Sequence, residues 1–439
     1  MSDLKKTLTL SAIVLFGLAY MTPTVVLATF GILADTTQGG VPSAYVAALI
    51  AIIFTAISYG HMAAIYPMAG SAYTYVRKAI DTRLGFLAGW AVLLDYLFLP
   101  MAIWLIGSAY LHSAFPSIPQ SIWVLAFIVA TTTVNILGIK TANTINILMM
   151  TIQFLVLIAF VALCVHYVWG DATQPLWTFS PFIPTDGLDV SLIMSGAAIA
   201  CYSFLGFDAI TTLAEETRDS RRTIPKAIIL TTLIGGAIFI ITSYFVQLSH
   251  PGASFENTDA AAFEIAQNIG GDIFVSIFMI GMLVGQFASG LASQASASRL
   301  LFAMGRDSVL PNKIFGKLGK FQTPVNALIL CGTVALLALK LDVSTSTSFI
   351  NFGAFLAFSL VNLSVIFACY IGKRKQGLKP HLLYLAFPVI GILAMIWLMI
   401  SLDHLAIMLG SAWLLCGLAW LTWLTRGFSR PTPELNLES

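Results

Sequence analysis

Two carboxylates lie where a carboxylate is costly. Asp95 falls inside a long apolar run, and so does Asp208. An acid at membrane depth costs a few kcal/mol and usually marks a substrate, ion or proton path. The competing role is structural, an acid satisfied by a packed polar neighbour. Around Asp208 the chain reads Cys201-Tyr202-Ser203-Phe204-Leu205-Gly206-Phe207-Asp208, and Gly206 weakens a helix there. Near the N-terminus a second interruption reads Ala19-Tyr20-Met21-Thr22-Pro23-Thr24. Pro23 has no N–H to give, and it pushes Thr22 toward extended backbone. Peptide groups freed at such breaks can hold a substrate or ion. Either break alone is an ordinary kink. Together, at matching positions of two halves, they point to a midplane binding site in a carrier built of inverted repeats.

The candidate substrate-binding residues are therefore Tyr20, Met21, Thr22, Pro23 and Thr24 at the first break. Tyr202, Ser203, Phe204, Gly206, Phe207 and Asp208 belong to the second, and Asp95 and Tyr96 stand between them in the chain. Asp208 and the carbonyls of 203–206 can accept hydrogen bonds from an ammonium. Asp95 supplies a second negative contact if its helix turns it inward, and two separated carboxylates suit a diamine. Tyr96, Trp90, Phe204 and Phe207 offer cation–π walls, or they simply pack.

The elements that must position these groups are long apolar helices. Hydrophobic residues make up 58% of the 439-residue chain and charged residues 10%, which suits lipid rather than water. Spans are expected at 11–34, 42–65, 84–113, 121–138, 141–168, 190–216, 224–248, 272–304, 324–341, 345–371, 381–400 and 405–425. The fold class is thus an all-α polytopic membrane protein with 12 helices. Placing alternate loops on opposite sides puts 21 of the 22 Lys and Arg on one side, leaving Lys340 on the other. This bias supports the twelve spans and places both termini in the cytoplasm. Lys5-Lys6 before an apolar run is leader-like, but the run continues past Pro23 and reads as a retained first span. The five cysteines sit in apolar runs as small buried hydrophobes. No HExxH, Gly-x-Ser-x-Gly or paired-histidine pattern appears, so no enzyme activity, cofactor or metal is expected, and no nucleic-acid partner. A membrane sensor using the same site without turnover, or a channel, are the other classes.

Four motifs carry a family resemblance: Tyr66-Pro67-Met68-Ala69-Gly70-Ser71-Ala72-Tyr73-Thr74-Tyr75, Gly85-Phe86-Leu87-Ala88-Gly89-Trp90, Phe204 to Asp208 followed by Glu215-Glu216-Thr217 and Ile224-Pro225-Lys226-Ala227, and Ser298 to Asp307. In this order they resemble the amino acid–polyamine–organocation transporter superfamily over about residues 5–425. Ala56 to Gly60, Leu93 to Met101 and Phe349 to Ala354 are similar to the bacterial putrescine importers within it. The resemblance implies a leucine-transporter-like fold with a 5+5 inverted repeat and broken helices 1 and 6. The first repeat would cover 11–168, the second 190–371, and two additional helices 381–425. It also implies ion-coupled alternating access in the bacterial inner membrane, by a monomer or homodimer.

Amino-acid members usually carry Gly-Ser-Gly-like residues at the first break to seat a carboxylate. Met21-Thr22-Pro23-Thr24-Val25 has none of these glycines, which favours an amine. The resembled importers carry an acid at the position of Ala28, a departure that leaves a monoamine or amino acid open as substrate. Some proton-linked relatives carry a lysine where Gln153 stands, so that switch is absent here. Gln153, Ser289 and Ser293 are the coupling-ion candidates, for proton or sodium, although Gly281, Gly285, Ser289, Ser293 and Ala297 also form a small-residue packing stripe. Glu215, Glu216 and Arg299 are candidates for a cytoplasmic gate latch, or for a solvated charge cluster.

Overall fold

A computed structural model describes residues 8–68, 70–137, 142–170, 175–185, 187, 189–252, 254–306, 308–319, 321, 323–372, 377–430 and 432. The side chains of 142–147, 215, 216, 303 and 306 lie outside the described set. The described chain is helical with a single isolated backbone bridge, Leu8 to Thr217.

The first span is three pieces: α1 (Leu10–Met21), α2 (Val25–Ala28) and α3 (Phe30–Thr37). α4 (Val41–Ile65) carries Pro42 in its first turn, where the missing N–H costs nothing. The short α5 (Ser71–Ala79) leads into α6 (Thr82–Ala114). α6 contains Pro100 and is buried along most of its length. α7 (Gln120–Leu137) and α8 (Ala142–Gly170) follow. The sixth span begins as α9 (Val190–Ala200), tightens to a 3-10 turn at Cys201–Phe204, breaks, and resumes as a 3-10 segment at Ala209–Glu216. α10 (Ser220–Ser249) precedes α11 (Ala261–Arg306), which bends at Gly271, φ 63°.

The sequence reading started this span at 272. A further helical piece, 261–270, joins it across the glycine that permits that φ. The short α12 (Asn312–Phe315) comes next, then α13 (Val325–Val334) with a 3-10 extension to Leu339. α14 (Val343–Val365) ends in a π-turn, and α15 (Leu378–His381) passes through another π-turn into α16 (Phe387–Ile400). α17 (His404–Leu424) closes the described helices.

Among the described residues, eleven helices are long and apolar enough to cross a membrane. The expected ninth span, 324–341, is the exception: it is the shorter apolar helix Val325–Leu339. The protein is an all-helical, multi-pass membrane protein.

Aspartates start several helices. The carboxylates of Asp81, Asp189, Asp342 and Asp403 accept from the backbone N–H of Arg83, Ser191, Thr345 and Ala406, satisfying donors that a helix start leaves over. Close packing of α4 on α10 is carried by Gly60 against Pro225 and Gly236 against Leu49. Large apolar side chains such as Val129, Leu155, Leu393 and Trp423 face outward, as a lipid-facing surface requires. Cys416 is exposed on that surface, unlike the other four cysteines. Its apolar run is therefore not a buried one.

Candidate functional site

The site grows from the two breaks. α1 ends when the Thr22 N–H donates to the Leu18 carbonyl at 3.0 Å. Thr22 then adopts φ 53°, ψ 93° rather than the extended geometry expected before Pro23. A left-handed residue is a common way to stop a helix. Here the Thr22 hydroxyl also reaches back to the Ala19 and Tyr20 carbonyls at 3.4 and 3.5 Å. The chain turns over Pro23, with Val25 N–H donating to the Thr22 carbonyl at 2.8 Å.

In the second break Leu205 is extended and Gly206 takes φ 116°. A β-carbon at Gly206 would overlap the Tyr20 ring, so the two breaks interlock. Asn351 holds the upper half-helix by donating to the Ala198 carbonyl at 2.8 Å. The Tyr45 hydroxyl joins Thr29 at 3.1 Å to Ser203 at 3.0 Å. α1 and α9 both end at this centre, so the negative ends of their dipoles meet there and favour a cation.

Asp208 sits at the start of the resumed half-helix, 1% exposed. Tyr96 donates its hydroxyl to Oδ2 at 3.1 Å, and the Gly206 N–H donates to Oδ1 at 3.4 Å. Asp95 is 2% exposed, and its Oδ1 has no hydrogen-bond partner among the described residues. The two carboxyl groups are close enough to interact electrostatically, and both act electrostatically on Tyr20, Tyr59 and Tyr96. Asp95 and Asp208, set out from the sequence as two contacts, are thus both buried and near enough to feel each other's charge.

Tyr20, Met21, Thr22 and Tyr202 line a cavity of about 20 Å³, which admits roughly one water molecule. Its other walls are Val25, Leu205, Leu99 and Ile103, with Gln286 and Ser289 from α11. Leu99 and Ile103 follow Asp95 by four and eight residues and so share its helix face. That periodicity was available in the sequence. Gln286, a buried polar residue in an apolar span, was a missed signal of the same kind.

The remaining candidates are spread around this centre. Thr24 points away, donating to Gln153 Oε1 at 3.5 Å beside Gly285. Ser289 donates to the Tyr20 carbonyl at 3.5 Å, whereas Ser293 bonds Gly290 within its own helix at 3.2 Å. Phe204 packs edge-on to Phe239 with ring centroids 5.3 Å apart. Phe207 packs against Tyr59 and Phe358 at 5.6 and 5.2 Å, and Trp90 stacks on Trp413 at 4.8 Å. These rings line no part of the cavity. Arg299 is exposed, and the side chains of Glu215 and Glu216 lie outside the described residues.

Two interrupted helices meeting beside two buried carboxyl groups inside a multi-pass bundle are the architecture of a permease. The sequence matches the family described as Amino acid permease over residues 12–416, and the chain belongs to that family, as a transporter and not an enzyme. It is 42% identical to the low-affinity putrescine importer of Escherichia coli K12 over 98% of this chain and 96% of the relative. It is 28% identical to a branched-chain amino acid permease of Bacillus subtilis over 95% of this chain and 92% of that one. Identity to the methylthioribose transporter of the same species is 25%, covering 97% and 92%.

Proposed function

We propose that the protein imports a small amine, putrescine or a close relative of it, by ion-coupled alternating access across the bacterial inner membrane. The observation that carries this reading is the buried carboxylate oxygen of Asp95, left without a partner among the described residues and near enough to Asp208 to feel its charge. An ammonium supplies the charge and the donors that these acids lack. The C-terminal ends of α1 and α9 add carbonyls of the same sign. The 42% identity to a putrescine importer agrees with it. In this reading the shorter helix Val325–Leu339 is the ninth of twelve spans, and residues 11–168 and 190–371 are the inverted repeats. Both termini are cytoplasmic, and the unit is a monomer or homodimer.

Substrate leaves toward the cytoplasm when the Tyr59, Phe207 and Phe358 rings part. Thr24 and Gln153 mark where a coupling proton or sodium acts on the first break. Purified protein in proteoliposomes takes up labelled putrescine saturably and shows counterflow. Asp95→Asn removes at least 90% of that uptake, with the variant still folded by size-exclusion profile. Wild-type uptake of zwitterionic amino acids without amine uptake would overturn the proposal and favour the amino acid permease reading that the branched-chain relative raises. Repeating uptake with the proton gradient collapsed, and separately with sodium replaced, separates the two coupling ions.

A further inference from the structure

The two acids feel each other's charge, and the cavity wall beyond them carries a polar group of another kind. Resting on the amine reading above, we infer that Gln286 is a specificity-determining residue that receives the distal polar group of the substrate and thereby sets its length.

Gln286 is 2% exposed and lines the cavity. Its amide hydrogen-bonds no described residue. The amide faces the cavity, where a water or a ligand can satisfy its donors and acceptor. The rest of the cavity wall is mixed: Val25, Leu99, Ile103 and Leu205 give it a hydrocarbon side, and Tyr20, Thr22, Tyr202 and Ser289 add polar groups. Gln286 is the neutral amide on this wall, and Leu99 and Ile103 run from it back along α6 toward Asp95.

The dimensions agree. Twelve residues of α6 separate Asp95 from Gly107, about 18 Å along the axis, which leaves roughly 12 Å between the polar ends when each side chain reaches about 3 Å toward the other. The Gln286 β-carbon packs over Gly107, one turn beyond Ile103. The nitrogens of an extended four-carbon diamine lie about 6 Å apart on ordinary bond lengths. A hydrogen bond of about 3 Å at each end brings the span to about 12 Å. One ammonium then meets Asp95, the methylenes lie on Leu99 and Ile103, and the second ammonium donates to the Gln286 carbonyl oxygen. A neutral acceptor selects for reach and hydrogen bonding rather than for charge, and the acid that the importers carry at Ala28 is not needed.

The test is competition against labelled putrescine in proteoliposomes by diaminopropane, putrescine, cadaverine, diaminohexane and butylamine. Gln286→Leu raises the putrescine KM at least tenfold and leaves inhibition by butylamine unchanged, so discrimination between diamine and monoamine collapses. Gln286→Asn, shorter by one methylene, moves the best diamine one carbon longer. Retained butylamine inhibition shows that each variant is folded. If both variants keep the wild-type length optimum and the wild-type diamine-to-monoamine ratio, the inference is wrong although the amine reading stands. If the wild type takes up no amine at all, both are wrong.

Discussion

At the level of single residues, the two membrane aspartates have different work. Asp208 is held by Tyr96 and Gly206 at the start of a half-helix, where a negative charge is favoured. Asp95 has an unsatisfied oxygen among the described residues, which the proposed ammonium would satisfy. Tyr96→Phe keeps the ring and removes the bond to Asp208. It is expected to lower uptake several-fold, less than Asp95→Asn does, in the same proteoliposome assay. Gly206 has a backbone reason for being glycine: φ is 116° and the Tyr20 ring fills the space of a β-carbon. Gly206→Ala should therefore cost about 1 kcal/mol or more, seen as a lower melting temperature together with lost uptake.

Both aspartates and both breaks were legible, because a charge, a proline or a glycine inside an apolar run contradicts its surroundings. The Thr22 conformation was not, because the pre-proline rule says nothing of a hydroxyl that turns back onto Ala19 and Tyr20. Nor were the roles of Phe204, Phe207 and Trp90. An aromatic ring in an apolar helix has the same sequence signature whether it meets a cation or another ring.

At the level of elements, apolar length located eleven spans well. The expected span 324–341 is helical over Val325–Leu339, its last residues in a 3-10 turn and shorter than the other spans, and the helical piece before Gly271 was missed. The helix starts are stabilised locally. Asp342→Ala, which removes the bond to the Thr345 N–H, should cost about 1 kcal/mol, measured as a fall in thermal stability with the substrate profile unchanged. α17 is fastened to α6 by an exchange no periodicity reveals. The Trp90 indole N–H donates to the Trp413 carbonyl and the Trp413 indole N–H to the Trp90 carbonyl, both at 2.9 Å. The rings stack with 19° between planes. A thermal-stability cycle of Trp90→Phe, Trp413→Phe and the double variant should be non-additive. Additive effects would mean that the two indoles act separately.

Over the whole molecule, the described residues pack a mostly apolar interior that also encloses the buried polar groups, while further apolar side chains face outward, as a lipid solvent permits. The charge bias predicts topology independently of any contact: a fluorescent-protein fusion after Arg430 should fluoresce, and an alkaline-phosphatase fusion there should be inactive. The inverse pattern would reverse the orientation and, with it, the meaning of import. Finally, a centre with room for roughly one water has a kinetic consequence. An arriving amine must wait for Tyr20, Met21 and Leu205 to move apart, so capture is gated by the protein and not by diffusion. In stopped-flow traces the observed rate should level off as amine concentration rises, and the plateau would be the opening rate of the empty carrier.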